Sequence, residues 1–184
     1  MKRASIATSC SSNRAHPATR FDGIHLDIEP QQRPENKGAG NLRFLPGLVD
    51  AYRAVRTLAQ SAQMSVNADI QVKLLKGSLA ERRLLLSSLP RLTLMLYELS
   101  SPTDADTPAQ KMAKVQRASQ QDLQMAYDGL QDPNLARMAI GLRNPDYGDL
   151  LPDMLASLDQ ADRTDAHYLG WARHACNDAL PLTP

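Results

Sequence analysis

The chain has 184 residues, 42% of them hydrophobic, and a formal net charge of +1. A chain of this length and apolar content is typical of one compact domain with a core, which argues against a disordered protein. The balanced charge gives no reason to expect a nucleic acid or a membrane as a partner. No apolar run reaches the ~18 residues of a membrane span or resembles a secretory signal. The sequence therefore predicts a cytoplasmic protein, unless its true start lies upstream.

Five strands alternating with four helices are predicted along the chain. The strands are apolar runs bounded by turn residues, and the helices have apolar residues at helical spacing. The predicted strands cover 21–30, 64–74, 91–100, 135–143 and 166–175. The predicted helices cover 42–63, 78–88, 108–129 and 150–162. This alternation indicates a parallel sheet covered by helices and joined by right-handed crossovers. Because neither GxGxxG nor a P-loop is present, no nucleotide cofactor is predicted, and no other cofactor is expected.

The ends of the helices carry their own signals. Ser78 and Thr107 each open a capping box, with glutamate or glutamine three residues later. Asn41 and Asp149 are placed to cap the other two helices, and Gly129 suits the position just after a helix. These signals predict where all four helices begin and where one of them ends.

The first predicted strand, FDGIHLDIEP over 21–30, combines a core-like composition with charged side chains. Alternate residues of a strand point to opposite faces. One face carries Ile24, Leu26 and Ile28, and the other carries Gly23, His25, Asp27 and Glu29. In a barrel of parallel strands the polar set points inward, and it is densest at the carboxyl end, where such barrels place their active sites. This layout puts Glu29 at the barrel rim and Asp27 one layer below it.

Two carboxylates at a barrel mouth suit cleavage of a glycosidic bond. That reaction needs a proton donor beside the leaving oxygen and stabilisation of a positively charged sugar. Asp27 lies roughly 6.5–7 Å from Glu29 along an extended strand. A neighbouring carboxylate raises the pKa of a glutamate, which then stays protonated near neutral pH. Carboxylates at strand ends also serve as helix caps, loop anchors or salt-bridge partners, so the pair alone leaves both interpretations open.

The stretch DGIHLDIE over 22–29 resembles the D-G-φ-D-φ-D-φ-E signature, where φ is apolar, on the fourth barrel strand of chitinase-like (family 18) glycoside hydrolases and related glycosidase-like barrels. The match departs at His25, where the family usually has Asp or Asn. Met95-Leu96-Tyr97-Glu98 is similar to the family's Met-x-Tyr-Asp on strand six, with Glu98 in place of the aspartate. Gly170-Trp171 falls on the last strand, where the family often has a tryptophan under the sugar.

The resemblance implies a carbohydrate substrate and a role for each matching residue. Glu29 is implied as the general acid, and Asp27 as the group that orients the substrate's N-acetyl group or stabilises charge. Tyr97 is implied to form a hydrogen bond with the reacting sugar. In this family the nucleophile is the substrate's own acetamido oxygen. His25 interrupts the row of acidic groups that this substrate-assisted route uses.

The resemblance also implies a barrel of which only part is present. If 21–30 is strand four, the five strands are numbers four to eight of a (β/α)8 TIM barrel, which typically needs ~250 residues. We therefore expect an N-terminal remnant over 1–20, a partial barrel over 21–176 and an irregular tail over 177–184. A truncated product, a homodimer, a separate partner that supplies the N-terminal half-barrel, and an open sheet are the alternatives.

Further residues complete the predicted site. Asp69 shares a strand face with Lys73, Arg143 is placed for an anionic group, and His174 is expected to face His25 across the barrel. The predicted substrate-binding residues are His25, Asp69, Glu98, Arg143, Trp171 and His174. Two other interpretations stay open at this point. One is a non-catalytic or carbohydrate-binding remnant. The other is a metal-dependent hydrolase that uses His25, Asp27 and His174.

Overall fold

A computed structural model describes residues 22–37, 42–96, 106–143 and 147–174, with Arg143 and His174 described by backbone alone. The strands are β1 Gly23–Asp27, β2 Ser65–Gln71, β3 Arg91–Met95, β4 Arg137–Arg143 and β5 Tyr168–His174. The helices are α1 Leu45–Ser61, α2 Leu79–Leu86, α3 Pro108–Tyr127 and α4 Leu151–Asp162. The predicted alternation of five strands and four helices is confirmed.

The first two strands end earlier than predicted. β1 stops at Asp27, and the chain enters a 3₁₀ turn at Pro30–Gln32, because proline has no N–H to donate to a strand ladder. β2 stops at Gln71, and a second 3₁₀ turn covers Val72–Lys76. Lys73 therefore lies in that turn, and the prediction that it shares a strand face with Asp69 is wrong.

The sheet is parallel, and its strands lie in sequential order, β1-β2-β3-β4-β5. Within the described ranges β1 and β5 form the two edges and do not pair with each other. Over the described residues the protein is therefore an α/β fold with a five-stranded parallel sheet, and closure into a TIM barrel stays a prediction. No helix in the described part of the chain is both long and apolar enough to cross a membrane.

One face of the sheet, the apolar face, packs against the helices. Its strand residues form a hydrophobic cluster with the inner sides of the helices. The strand members are Leu26, Val66, Ala68, Ile70, Leu92, Leu94, Met138, Ile140, Leu142 and Tyr168. Burial of each large aliphatic side chain contributes about 1.5–3 kcal/mol. Because successive strands are neighbours, right-handed crossovers carry all four helices to this one face.

The opposite face, here called the polar face, carries mostly polar or small side chains. On the first four strands these are Gly23, His25, Asp27, Ser65, Asn67, Asp69, Gln71, Arg91, Thr93, Met95, Arg137, Ala139 and Gly141. None of them joins the hydrophobic cluster, although Met95 and Ala139 are buried. One face of the sheet is thus part of the hydrophobic core, and the other face carries mostly polar or small side chains.

Three of the predicted signals at the helix ends are confirmed, and one is wrong. Ser78 and Thr107 form complete capping boxes, and Gly129 adopts φ +73° directly after the α3 C-cap. Asp149 does not cap α4, because a 3₁₀ turn over Gly148–Leu150 precedes that helix and Leu150 takes the cap position without a side-chain bond. Asn41 lies outside the described residues.

Asp122 on α3 is a half-buried carboxyl whose removal should stabilise the fold. Its Oδ2 is buried without a hydrogen-bond partner in the described structure, and burial raises the pKa of Asp122 to about 6, against a lowering effect of Lys76. The ionised form therefore opposes folding above pH 6, and the penalty fades as pH falls toward the usual value of 3.8. We expect Asp122→Asn to raise the free energy of unfolding at pH 8 by about 1–2 kcal/mol, since solvent screens part of the full shift.

Urea unfolding at pH 8 and pH 4.5 measures this effect. The gain should shrink at pH 4.5, where the wild-type carboxyl is mostly protonated. Asp50→Asn, at an exposed position of α1, is the matched control and should change stability by less than about 0.5 kcal/mol. An Asp122→Asn variant no more stable than wild type at pH 8 would contradict the assignment.

Candidate functional site at the carboxyl edge of β1 and β2

The candidate site lies on the polar face, where β1 and β2 end. The two strands pair in parallel, with His25 opposite Asn67 and Asp27 opposite Asp69. Paired residues of parallel strands project from the same face, so these four side chains form one patch. The predicted inward direction of His25 and Asp27 is thus the direction of the polar face. Because β1 is an edge strand in the described structure, the patch lies at one side of the sheet.

His25 and Asp69 form the closest charged contact of the site. His25 Nε2 lies 2.8 Å from Asp69 Oδ1, and the exposed fractions of the side chains are 49% and 6%. The hydrogen bond to Asp69 raises the pKa of His25, helped by the charges of Asp69 and Asp27 and opposed by burial. Because Nε2 is occupied by Asp69, Nδ1 is the imidazole nitrogen left to act on a substrate. This arrangement of an imidazole oriented by a buried carboxylate is one that enzymes use for proton transfer.

Glu29 lies beyond the end of β1 and not on it, which corrects its predicted place within the strand. It occupies the position just before the 3₁₀ turn Pro30–Gln32. Its Oε1 accepts hydrogen bonds from Gln71 Nε2 at 2.7 Å and Gln31 Nε2 at 3.2 Å, and its Oε2 accepts from Gln32 Nε2. The bond to Gln71 draws the carboxylate over the end of β2. Glu29 therefore remains at the carboxyl edge of the sheet, as predicted.

Three glutamine side chains are functional neighbours that sequence reasoning missed. Gln71 lies two residues after Asp69 on β2, so strand alternation alone places both side chains on the polar face. Gln31 and Gln32 directly follow Glu29-Pro30, within reach of a carboxylate in a tight turn. The alternation on β2 and the closeness of Gln31 and Gln32 to Glu29 can both be read from the sequence. The contact between Gln71 and Glu29 also depends on the pairing of β1 with β2.

β2 anchors both the imidazole and the carboxylate. His25 is held by Asp69, and Glu29 is held by Gln71. These two anchors are same-face neighbours on one strand, so their Cα atoms are roughly 6.5–7 Å apart. The two groups that can transfer protons are thus both fixed to the end of the same strand.

A hydrogen bond extends the polar row onto β3. Asn67 Nδ2 donates to Thr93 Oγ1 at 3.1 Å, and Thr93 is buried. Tyr52 reaches β2 from α1, with its hydroxyl 3.5 Å from the Asp69 carbonyl oxygen. Burial, with the charges of Asp69 and Asp27, raises the pKa of Tyr52 well above its usual value. The strand that carries Asp69 is therefore held by contacts on both of its faces.

Trp171 is not part of this site. A register shift between Met138 and Ala139 leaves Trp171 opposite Ile140, which places it on the apolar face. There it lines a cavity of about 630 Å³ beside α4, together with Pro152, Leu155 and Arg173. The sheet therefore separates Trp171 from Glu29 in this arrangement, and the role of Trp171 as a sugar platform stays a prediction.

The remaining predicted residues are distant from the site or undescribed. Arg143 and His174 pair with each other on β4 and β5, in register with the polar face. β5 is four strands from β1, roughly 19 Å along the sheet, so the predicted approach of His174 to His25 would require a closed barrel. Tyr97 and Glu98 lie outside the described residues. Among the side chains that the structure describes, no three His, Cys, Asp or Glu come together as a metal site.

The His25–Asp69 pair makes a direct titration prediction. We expect nuclear magnetic resonance of the full chain to give His25 a pKa above 6.5, and Asp69→Asn to lower it. A raised pKa means that the pair stabilises the fold fully below pH 6.5 and loses that contribution as pH rises through the raised value. Asp165→Asn, which removes a carboxylate from beside His167, is the control and should leave the His25 titration unchanged. An unshifted His25 in the wild type would contradict the pair.

Comparisons with protein-family models, with curated proteins and with solved structures found no match to this chain. The parallel α/β fold and the geometry of the site are therefore the basis for assigning a function to this chain.

Proposed function

We propose that this chain is a glycoside hydrolase-like domain that cleaves a glycosidic bond in a carbohydrate at the carboxyl edge of β1 and β2. The observation that carries the proposal is the convergence of two proton-transferring groups on β2. Asp69 holds the imidazole of His25, and Gln71 holds the carboxylate of Glu29. Hydrolysis of a glycosidic bond needs two such groups, one to protonate the leaving oxygen and one to assist the attack.

The surroundings of the two groups suit a polyhydroxylated substrate. The polar face presents amide, hydroxyl and carboxylate groups on adjacent strands, which can bond to sugar hydroxyls as donors or acceptors. The exposed carboxylate of Asp27 adds negative charge between His25 and Glu29 along the chain, where it can stabilise an oxocarbenium-like sugar. The resemblance to family 18 supports the same substrate class, and it assigns the general acid role to Glu29.

The test is hydrolysis by the purified full-length chain. A panel of aryl glycosides and unmodified oligosaccharides would be incubated with wild type and with Glu29→Gln, and released phenol and reducing ends would be measured. Turnover by wild type that is lost in a folded Glu29→Gln variant is the expected result. No turnover of any substrate by folded wild type would overturn the proposal.

A second candidate function is carbohydrate binding without hydrolysis. The observation that favours it is the open edge at β1, which leaves the site bounded by described strands on one side only. A binding module of this kind would hold oligosaccharides on the polar face without turnover. Calorimetric titration of an oligosaccharide that wild type binds but does not cleave distinguishes this candidate from the first.

A further inference from the structure

We propose that His25 is the general acid of this site and Glu29 its general base, the reverse of the role that the family resemblance assigns to Glu29. This inference rests on the proposed function, since it names which group gives and which group takes a proton during hydrolysis. The geometry around each side chain favours one protonation state for it before the reaction. The two states are those that an acid and a base need.

The contacts of His25 favour its protonated form. Asp69 is 6% exposed and bonds Nε2 directly, and Asp27 on the same strand adds a second negative charge. An imidazolium has a proton on Nδ1 as well as on Nε2. Because Nε2 is engaged by Asp69, the Nδ1 proton is the one available to a leaving group. The direction of the His25 pKa shift agrees with this assignment.

The contacts of Glu29 favour its ionised form. All three of its glutamine contacts are made through side-chain amide nitrogens, which donate and do not accept. Hydrogen bonds donated to a carboxylate stabilise its charge and oppose protonation. An ionised carboxylate has no proton to supply as a general acid, and as a base it can take one from water.

The two assigned roles fit attack by water. A general acid together with a base that activates water defines a single displacement, in which water attacks the face of the sugar opposite the leaving group. The anchors of the two groups, Asp69 and Gln71, lie on the same strand, β2. The inference therefore includes inversion at the anomeric carbon.

The step balances with water as the only co-reactant. The water oxygen bonds to the anomeric carbon as the bond from that carbon to the leaving oxygen breaks. His25 Nδ1 gives its proton to the leaving oxygen, and Glu29 takes a proton from the attacking water. The products are two alcohol groups, and exchange with solvent returns the proton from Glu29 and restores the one lost by His25.

Leaving-group dependence separates the two roles. A 2,4-dinitrophenyl glycoside departs without protonation, whereas an alkyl glycoside needs an acid. We expect His25→Gln to lower kcat/KM for the alkyl glycoside by about 10²–10⁴-fold but for the dinitrophenyl glycoside by about 10-fold or less. Glu29→Gln should lower kcat/KM for both substrates to a similar extent, because the missing base is needed with either leaving group. Asp69→Asn should move the alkaline limb of the wild-type pH profile to lower pH, which a purely structural role would not do.

Each outcome decides a specific point. If Glu29→Gln keeps most of its kcat/KM for the dinitrophenyl glycoside and His25→Gln does not, Glu29 is the acid and the inference is overturned. Retention of configuration in the first product, read by proton nuclear magnetic resonance, also overturns it. No hydrolysis by folded wild type overturns the proposed function and this inference with it, whereas the two other results leave the proposed function standing. His167→Gln, which changes a histidine stacked on Tyr127, is the control for loss of a histidine elsewhere.

Discussion

Replacing Glu29 by glutamine is expected to lower kcat/KM for glycoside hydrolysis by about 10²–10⁴-fold, which is about 3–5 kcal/mol of transition-state stabilisation. Glutamine keeps the length and shape of the side chain but can neither take nor give the proton that the reaction moves. The oxygen of the new amide can still accept a bond from Gln71. The variant should therefore keep its position over β2 and lose chemistry more than structure.

The fold of this variant should be nearly unchanged. Glu29 is half-buried and lies outside the strand, so its replacement removes no core contact. Glu35→Gln, in the next 3₁₀ turn over Pro34–Asn36, is the matched control for loss of a glutamate charge and should retain wild-type kcat/KM. Initial rates measured with each variant at equal folded concentration check the prediction. Equal loss in both variants, or full activity in Glu29→Gln, would remove Glu29 from the mechanism.

Replacing Leu94 by alanine is expected to lower the free energy of unfolding by about 2–5 kcal/mol. Leu94 is 0% exposed on β3, the central strand, and its side chain belongs to the cluster between the sheet and the helices. The change removes buried methyl groups and leaves a cavity that strands on both sides prevent from collapsing. Urea unfolding monitored by circular dichroism measures the loss.

Leu58 provides the matched control for that substitution. It lies on α1 with 49% of its surface exposed, and Leu58→Ala should change stability by less than about 0.5 kcal/mol. If Leu94→Ala cost no more than Leu58→Ala, the apolar face of the sheet would not be the core of the folded chain. The comparison tests which face of the sheet is buried independently of any activity.

The elements were predictable because their signals are local. Apolar runs bounded by turn residues predicted all five strands, and helical spacing with the Ser78 and Thr107 capping boxes predicted the helices. The misplaced ends have local causes too. Pro30 opens a 3₁₀ turn that removes Glu29 from β1, and a short turn before Leu151 displaces Asp149 from the cap of α4. Turns of this kind depend on a few backbone angles, which periodicity does not report.

The site was predictable in its side chains but not in its contacts. Alternation in the first strand correctly assigned His25 and Asp27 to one face. It did not show that His25 bonds Asp69 or that Gln71 holds Glu29, because both contacts join residues more than forty positions apart in the chain. Only the pairing of β1 with β2 brings them together.

By itself the sequence determined the order of strands and helices, the parallel α/β class and the polar face of the first strand, since each follows from the spacing of residues close together in the chain. The tertiary structure alone decided which distant side chains meet. Strand register brought Asp69 to His25 and Gln71 to Glu29, and a single register shift put Trp171 on the opposite face of the sheet. Register is set by packing between strands, and a displacement of one residue reverses the face of every side chain that follows.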